Sequence, residues 1–263
     1  MSWNRIWVIH IGTLVAAGVW AVADPKFETT LHYAWSAPEH LVSQVGWGRT
    51  LLFLMASLVA SSSLMAMFAA MFSRCGGNVR SRSLRSLLAM TAIVAGWCSL
   101  GIHHDAIAWQ GKRIRFAWRV DELEAVAAPL RKAWPTRDGE LSTIGPFMAY
   151  PFGNPTTLVL LHSPWLVDDR VYVSAVERGS SGSIKLQLTG SDGGDWVEWH
   201  PPQSRPASFT GGLADPHQMQ AVTAIGSGWY LVRYDDHRRF MDPHSEIPQM
   251  TLNSELAEHV ETL

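Results

Sequence analysis

The chain has 263 residues, 47% of them hydrophobic, and a formal net charge of −2, with a pI near 6.6 and a mean hydropathy of +0.03. That length suits one large domain or a membrane part followed by one extramembrane domain. A balance this close to neutral lacks the basic face that neutralises phosphates, so no nucleic acid is expected as a partner.

The average hides two different halves, because the apolar residues crowd into the first third. Both cysteines, Cys75 and Cys98, lie there as well. The C-terminal part therefore has neither a disulfide framework nor a cysteine-based zinc site.

Residues 6–23 are free of formal charge and come close to the roughly 20 residues that cross a 30 Å hydrocarbon core. Trp7 and Trp20 near the ends suit an aromatic belt. The alternative is a signal peptide, with Arg5 as its basic flank and Ala21-Val22-Ala23 as an A-x-A-like site. Residues 37–45 read as a short helix at the membrane surface, with Ser36 as N-cap, Pro38 in the first turn and Glu39 closing a capping box. Residues 50–72, without one charge, form the second span, and small residues at i, i+4 spacing give it a seam for another helix. Residues 84–102 form the third, with Arg85 snorkelling to the interface.

Arg74, Arg80 and Arg82 in the connection 73–83 mark a cytoplasmic loop, which puts the N-terminus inside and the C-terminal domain outside the cytoplasm of a multi-pass cell-membrane protein. The basic and aromatic stretch 109–119 suits a chain leaving the bilayer at headgroup level. Residues 120–134 then place Leu123, Val126, Ala127, Leu130 and Trp134 on one face of an amphipathic helix, with acids at its start and bases at its end.

After Pro135 the texture changes to short β-rich runs at 156–162, 170–178, 183–189, 195–200 and 228–235, punctuated by Gly, Pro and Asp. The second and third are joined by Gly179-Ser180-Ser181-Gly182, a hairpin loop. The expected fold is thus a membrane α-helical bundle of three transmembrane helices, followed by an α+β domain with a mainly antiparallel sheet of about five strands. Its organisation divides into 1–105 in the membrane, 106–135 next to it, and 136–263 as the β-rich domain.

Chemistry is harder to find. No P-loop, dinucleotide fingerprint or nucleophile elbow is present, and no cofactor is expected. Eleven histidines raise the question of a metal, for which His103, His104 and Asp105 at the outer end of the third span are the candidate ligands. Adjacent helical histidines point about 100° apart and need help from elsewhere. Glu198 and His200 on one strand face, with His162, are a candidate acid-base group. Trp196, Trp199, Trp229 and Tyr230 form an aromatic patch that is core in the first instance and the candidate partner-binding surface in the second.

The expected function is a non-enzymatic membrane anchor presenting an extracytoplasmic α+β module that binds a protein or an envelope component. Its partners would be the lipid bilayer and either a protein or a second copy meeting it through the membrane helices. The alternatives are a membrane-tethered metal-dependent enzyme or hydrolase and a transporter accessory subunit.

Overall fold

The structure, a computed structural model, describes residues 3–72, 84–162, 165–167, 171–189, 194–212 and 215–235. The arginine-rich connection that sets the expected orientation lies outside them.

Among the described residues seven α-helices come first: α1 (Trp3–Ala23), α2 (Phe27–Ser36), α3 (Leu41–Val45), α4 (Trp47–Phe72), α5 (Leu84–Ile102), α6 (His104–Ala117) and α7 (Val120–Lys132). Among the described residues one helix is long and apolar enough to cross a membrane. This is α4 over Trp47–Ala66, with a mean hydropathy of 1.5 and only 11% of its apolar window buried, about 30 Å long at the usual helical rise.

The other two expected spans are corrected. Among the described residues, the apolar stretch Val8–Ala23 of α1 passes as a span only together with α2, into which it bends by 107°. The apolar part of α5 among the residues whose side chains are described, Leu88–Ile102, reaches about 22 Å. Both pack beside α4. Leu14 of α1 occupies the space where Gly96 of α5 lacks a side chain, and Ser63 of α4 meets His10 of α1 at 2.5 Å.

The surface helix expected over 37–45 is also redrawn. Ser36 ends α2 and donates to His32 O at 2.7 Å rather than capping a new helix. A 3-10 turn, Pro38–His40, then leads into α3. Most of the basic and aromatic stretch after α5 lies in the helix α6.

The β domain carries β1 (Gly139–Leu141), β2 (Gly145–Tyr150), β3 (Thr157–Leu160), β4 (Trp165–Val167), β5 (Val171–Arg178), β6 (Ile184–Thr189), β7 (Asp195–Trp199), β8 (Phe209–Thr210), β9 (Pro216–His217), β10 (Met219–Gly226) and β11 (Trp229–Tyr234). Eight of them form one antiparallel path in the order β1-β2-β3-β5-β6-β7-β11-β10, with β4 alongside β5 and β8-β9 a separate ribbon. The five-strand expectation is therefore corrected: among the described residues the sheet has nine strands, eight of them in one antiparallel path. The five expected runs correspond to β3, β5, β6, β7 and β11. The strands that escaped are short (β1), begin at Gly-Pro (β2), or lie at an edge with mostly exposed side chains (β10), where a two-residue hydrophobic alternation is weakest.

One face of the sheet is closed by α7. Leu123, Val126, Ala127 and Leu130 pack with Leu158, Val173, Val176, Ile184, Leu186, Val197, Trp229 and Leu231 in the main core. The other face carries a smaller cluster of Trp196, Val232 and Tyr234, against which Phe209 and Tyr230 pack. This division follows from the two-residue period of a strand. In β7, Asp195, Val197 and Trp199 point to the helical side, while Trp196 and Glu198 point away from it.

Candidate functional site

Two clusters of buried charge lie near the two ends of β7. The first joins the sheet to the helices. Lys112 Nζ of α6 donates to Glu28 Oε2 of α2 at 2.5 Å and to Asp195 Oδ2 of β7 at 2.6 Å. Arg233 of β11 donates through Nε to Asp195 Oδ1 at 2.7 Å and through Nη2 to Glu28 Oε1 at 3.3 Å. Glu28 is 8% exposed, Lys112 3% and Asp195 0%, so charges of this kind persist only when mutually neutralised. Two cations face two carboxylates, and the sum is zero.

Burial would lower the pKa of Arg233, but the hydrogen bonds and charge of Asp195, with those of Glu28, outweigh it and push the value upward. The guanidinium also lies 4.9 Å from the centre of the Trp109 ring on α6. Close approach of the helices makes this geometry available. Gly111 precedes Lys112, and a Cβ there would run into the backbone of Val22 in α1. Beside it, Ala21, Phe27 and Ala108 form a small apolar core.

The second cluster is on the sheet face opposite α7. Thr157 of β3, Glu177 of β5, Lys185 of β6, Glu198 of β7 and Tyr230 of β11 are successive cross-strand partners and so share one face. Glu198 accepts from Tyr234 OH at 2.6 Å, lies 2.7 Å from His200 Nε2 and 3.7 Å from Lys185 Nζ. The Lys185 ammonium sits 3.1 Å from the centre of the Phe209 ring. His200 Nδ1 is 3.1 Å from Ser204 Oγ, which is 3.2 Å from Ser181 Oγ.

Burial pushes the Lys185 pKa down despite the pull of Glu198 and Glu177. It pushes Glu177 up, against the hydrogen bond from Gly212 and with the help of the Asp215 charge. Tyr234 is raised by burial and by the neighbouring Glu198 carboxylate. These groups are thus held toward their neutral forms, the reverse of the tendency at Arg233. A cavity of about 730 Å³ opens over them, lined by Glu177, Arg178, Ser181, Lys185, His200 and Phe209 among others.

Glu177, Asp215 and His217 bring one donor atom each to within 4.8 Å of one another. Asp215 Oδ2 and His217 Nε2 stand 3.0 Å apart.

The residues singled out by sequence fall as follows. His104 Nε2 lies 3.1 Å from Asp105 Oδ1 and its Nδ1 2.8 Å from Gly101 O, while His103 is the exposed residue that precedes α6. These three do not come together as a metal-sized group. Glu198 and His200 do meet. His162 follows β3 at the end remote from Thr157 and Glu177, beside Gly145, and is not part of their cluster. Trp196 and Trp229 are buried on opposite faces of the sheet. Trp199 is half-buried under the Arg131 guanidinium at 4.1 Å. Tyr230 stands edge-on to the His200 ring at 5.7 Å.

Sequence reasoning missed Lys112, Glu28, Glu177, Asp215 and His217. Asp215-Pro216-His217 carried a local signal, two ligand-type side chains two apart around a proline that keeps the segment extended. Lys112 carried one too, since Ala108, Lys112 and Phe116 repeat at helical spacing and all three are buried.

Comparison of the chain with protein-family models, with curated proteins and with solved structures finds no match in any of the three.

Proposed function

We propose that the chain is a membrane-anchored binding module: α4 crosses the bilayer, and the β domain holds a ligand in the cavity over Glu177, Lys185 and His200. One observation carries this reading. The β domain is fixed to the helices through Asp195 and Arg233, and the cavity opens toward the other end of β7 on the opposite face, where Glu198 stands about 10 Å along the strand from Asp195. A platform held at one end and concave at the other is suited to presentation. The exposed apolar side chains of α4, such as Leu51, Leu54, Leu58 and Met65, support the membrane assignment.

The reading is tested by placing a photo-crosslinking benzophenone side chain at Ser181 and irradiating intact cells. Adducts with one defined cell component are expected. An absence of adducts above a Glu140 control contradicts it.

A second reading, a membrane-tethered hydrolase, is favoured by the hydrogen-bonded line Ser181, Ser204, His200 and Glu198, which places a hydroxyl beside an imidazole backed by a carboxylate. A fluorophosphonate probe separates the two. The binding module stays unlabelled, whereas labelling lost in Ser204→Ala or Ser181→Ala assigns a nucleophile.

A further inference from the structure

We propose that Glu177, Asp215 and His217 bind a divalent first-row transition-metal ion at the wall of the cavity. Four observations converge on that point.

The first is the donor set. Donor atoms that share a zinc-sized ion at about 2.0–2.2 Å stand roughly 3–4 Å apart. The three donors already lie within 4.8 Å of one another, so small side-chain rotations close the set. One imidazole with two carboxylates suits zinc, manganese, iron(II) or cobalt, and without a thiolate it does not suit copper(I).

The second is the room left for the ion. A Cβ on Gly211 would lie 2.5 Å from Asp215 Oδ1, 2.9 Å from Glu177 Oε1 and 3.2 Å from His217 Nε2. The three donors thus surround one point that glycine alone keeps clear.

The third is an unsatisfied atom. Asp215 Oδ1 is buried with no hydrogen-bond partner among the described residues, a costly state that a cation relieves. Glu177 Oε1 has hydrogen bonds from Thr157 Oγ1 and Gly212 N, both long at 3.4 Å.

The fourth is preorganisation. The His217 ring is stacked on Phe209, with centroids 4.7 Å apart and planes at 28°. It stands edge-on to Trp196 at 5.1 Å and to Tyr234 at 5.7 Å, so the imidazole is fixed before any ion arrives. Gly211 N donates to Asp215 O at 2.8 Å, closing the loop that carries both.

Two carboxylates and a neutral imidazole neutralise one divalent ion. Three protein donors leave at least one coordination position for water or for a ligand oxygen. Glu177 and Gly211 line the cavity, so that position is reached from it. This goes beyond the anchoring role and fails independently of it, because metal binding is read on the purified chain whatever the cavity holds in the cell.

The test uses the full chain in detergent, stripped with EDTA and titrated with Zn²⁺ by calorimetry and with Co²⁺ by its visible d–d bands. One equivalent is expected. Affinity should fall at least about 100-fold in His217→Ala and Asp215→Asn, since losing a ligand costs no less than losing a residue that orients one. Gly211→Ala keeps every donor and the surrounding fold, and should also bind less, because its methyl group fills the space for the ion. His103→Ala combined with His104→Ala should bind as the parent does. A parent chain that takes up neither ion stoichiometrically overturns the proposal. So does binding that is unchanged in Gly211→Ala and Asp215→Asn, or binding lost in the His103, His104 variant.

Discussion

The two clusters of buried charge each set a lysine among carboxylates and reach opposite electrostatic outcomes. At the helical end, Glu28, Lys112, Asp195 and Arg233 form short ion pairs that sum to zero, and the Arg233 pKa is driven upward by its partners. At the cavity end, Lys185 is pushed down and Glu177 up, because burial there is not matched by pairing. A saturated network fixes two parts of a molecule together. An unsaturated one retains the capacity to take a proton, a cation or a ligand. The contrast separates structural charge from functional charge within one sheet.

The largest expected effect comes from breaking the saturated network. Lys112→Met leaves Glu28 and Asp195 buried with only Arg233 to oppose them. It should lower the stability of the detergent-solubilised chain by about 3–5 kcal/mol, measured by tryptophan fluorescence in a denaturant titration. A loss below about 1 kcal/mol would show that the charges are solvated rather than clamped.

Gly111→Val should come next. The side chain meets the backbone of Val22, and overpacking of this kind costs about 1–3 kcal/mol. It acts on the same interface without touching a charge, so it separates the packing of α6 against α1 from the ionic part.

The smallest effect is at the cavity. The folded-state pKa of Glu177 is raised above its ordinary value of 4.5, so the folded chain binds more protons there than the unfolded one. The associated stability is complete below the ordinary value and is lost as pH rises through the raised one. Glu177→Gln should flatten that part of the stability profile, measured in EDTA so that no cation compensates. A profile identical in parent and variant would place Glu177 in solvent.

What was legible in the sequence follows the range of the interactions. The amphipathic helix α7 and the β5-β6 hairpin are local patterns, fixed by apolar spacing and by glycine at Gly179 and Gly182. The edge strand β10 was not legible, because its side chains are mostly exposed and leave no alternation to read. Its turn into β11 uses Ser227 at φ 52° and Gly228 at φ 80°, a left-handed pair that fits a tight hairpin.

The buried lysine of α6, Lys112, was not legible as a site. Its partners Glu28 and Asp195 lie 84 and 83 residues away in the chain, beyond any local signal. The count of spans went wrong for a related reason. Apolar composition is shared by a helix that crosses a bilayer and by one that bends into a protein contact, as α1 does at Asp24. The candidate metal group was half legible, in Asp215 and His217. Glu177 joins them only because β5 runs beside the loop that carries Gly211.

The most direct test of the account is a double-mutant cycle across the junction, with Lys112→Met, Asp195→Asn and their combination compared in one denaturant titration series. If the junction is a real ion-pair network, removing both partners leaves Glu28 paired with Arg233, and the combined loss should fall about 2–3 kcal/mol short of the sum of the single losses. Losses that add to within about 0.5 kcal/mol would mean that Lys112 and Asp195 do not act on one another, and that the β domain is not fixed to the helices in the way described.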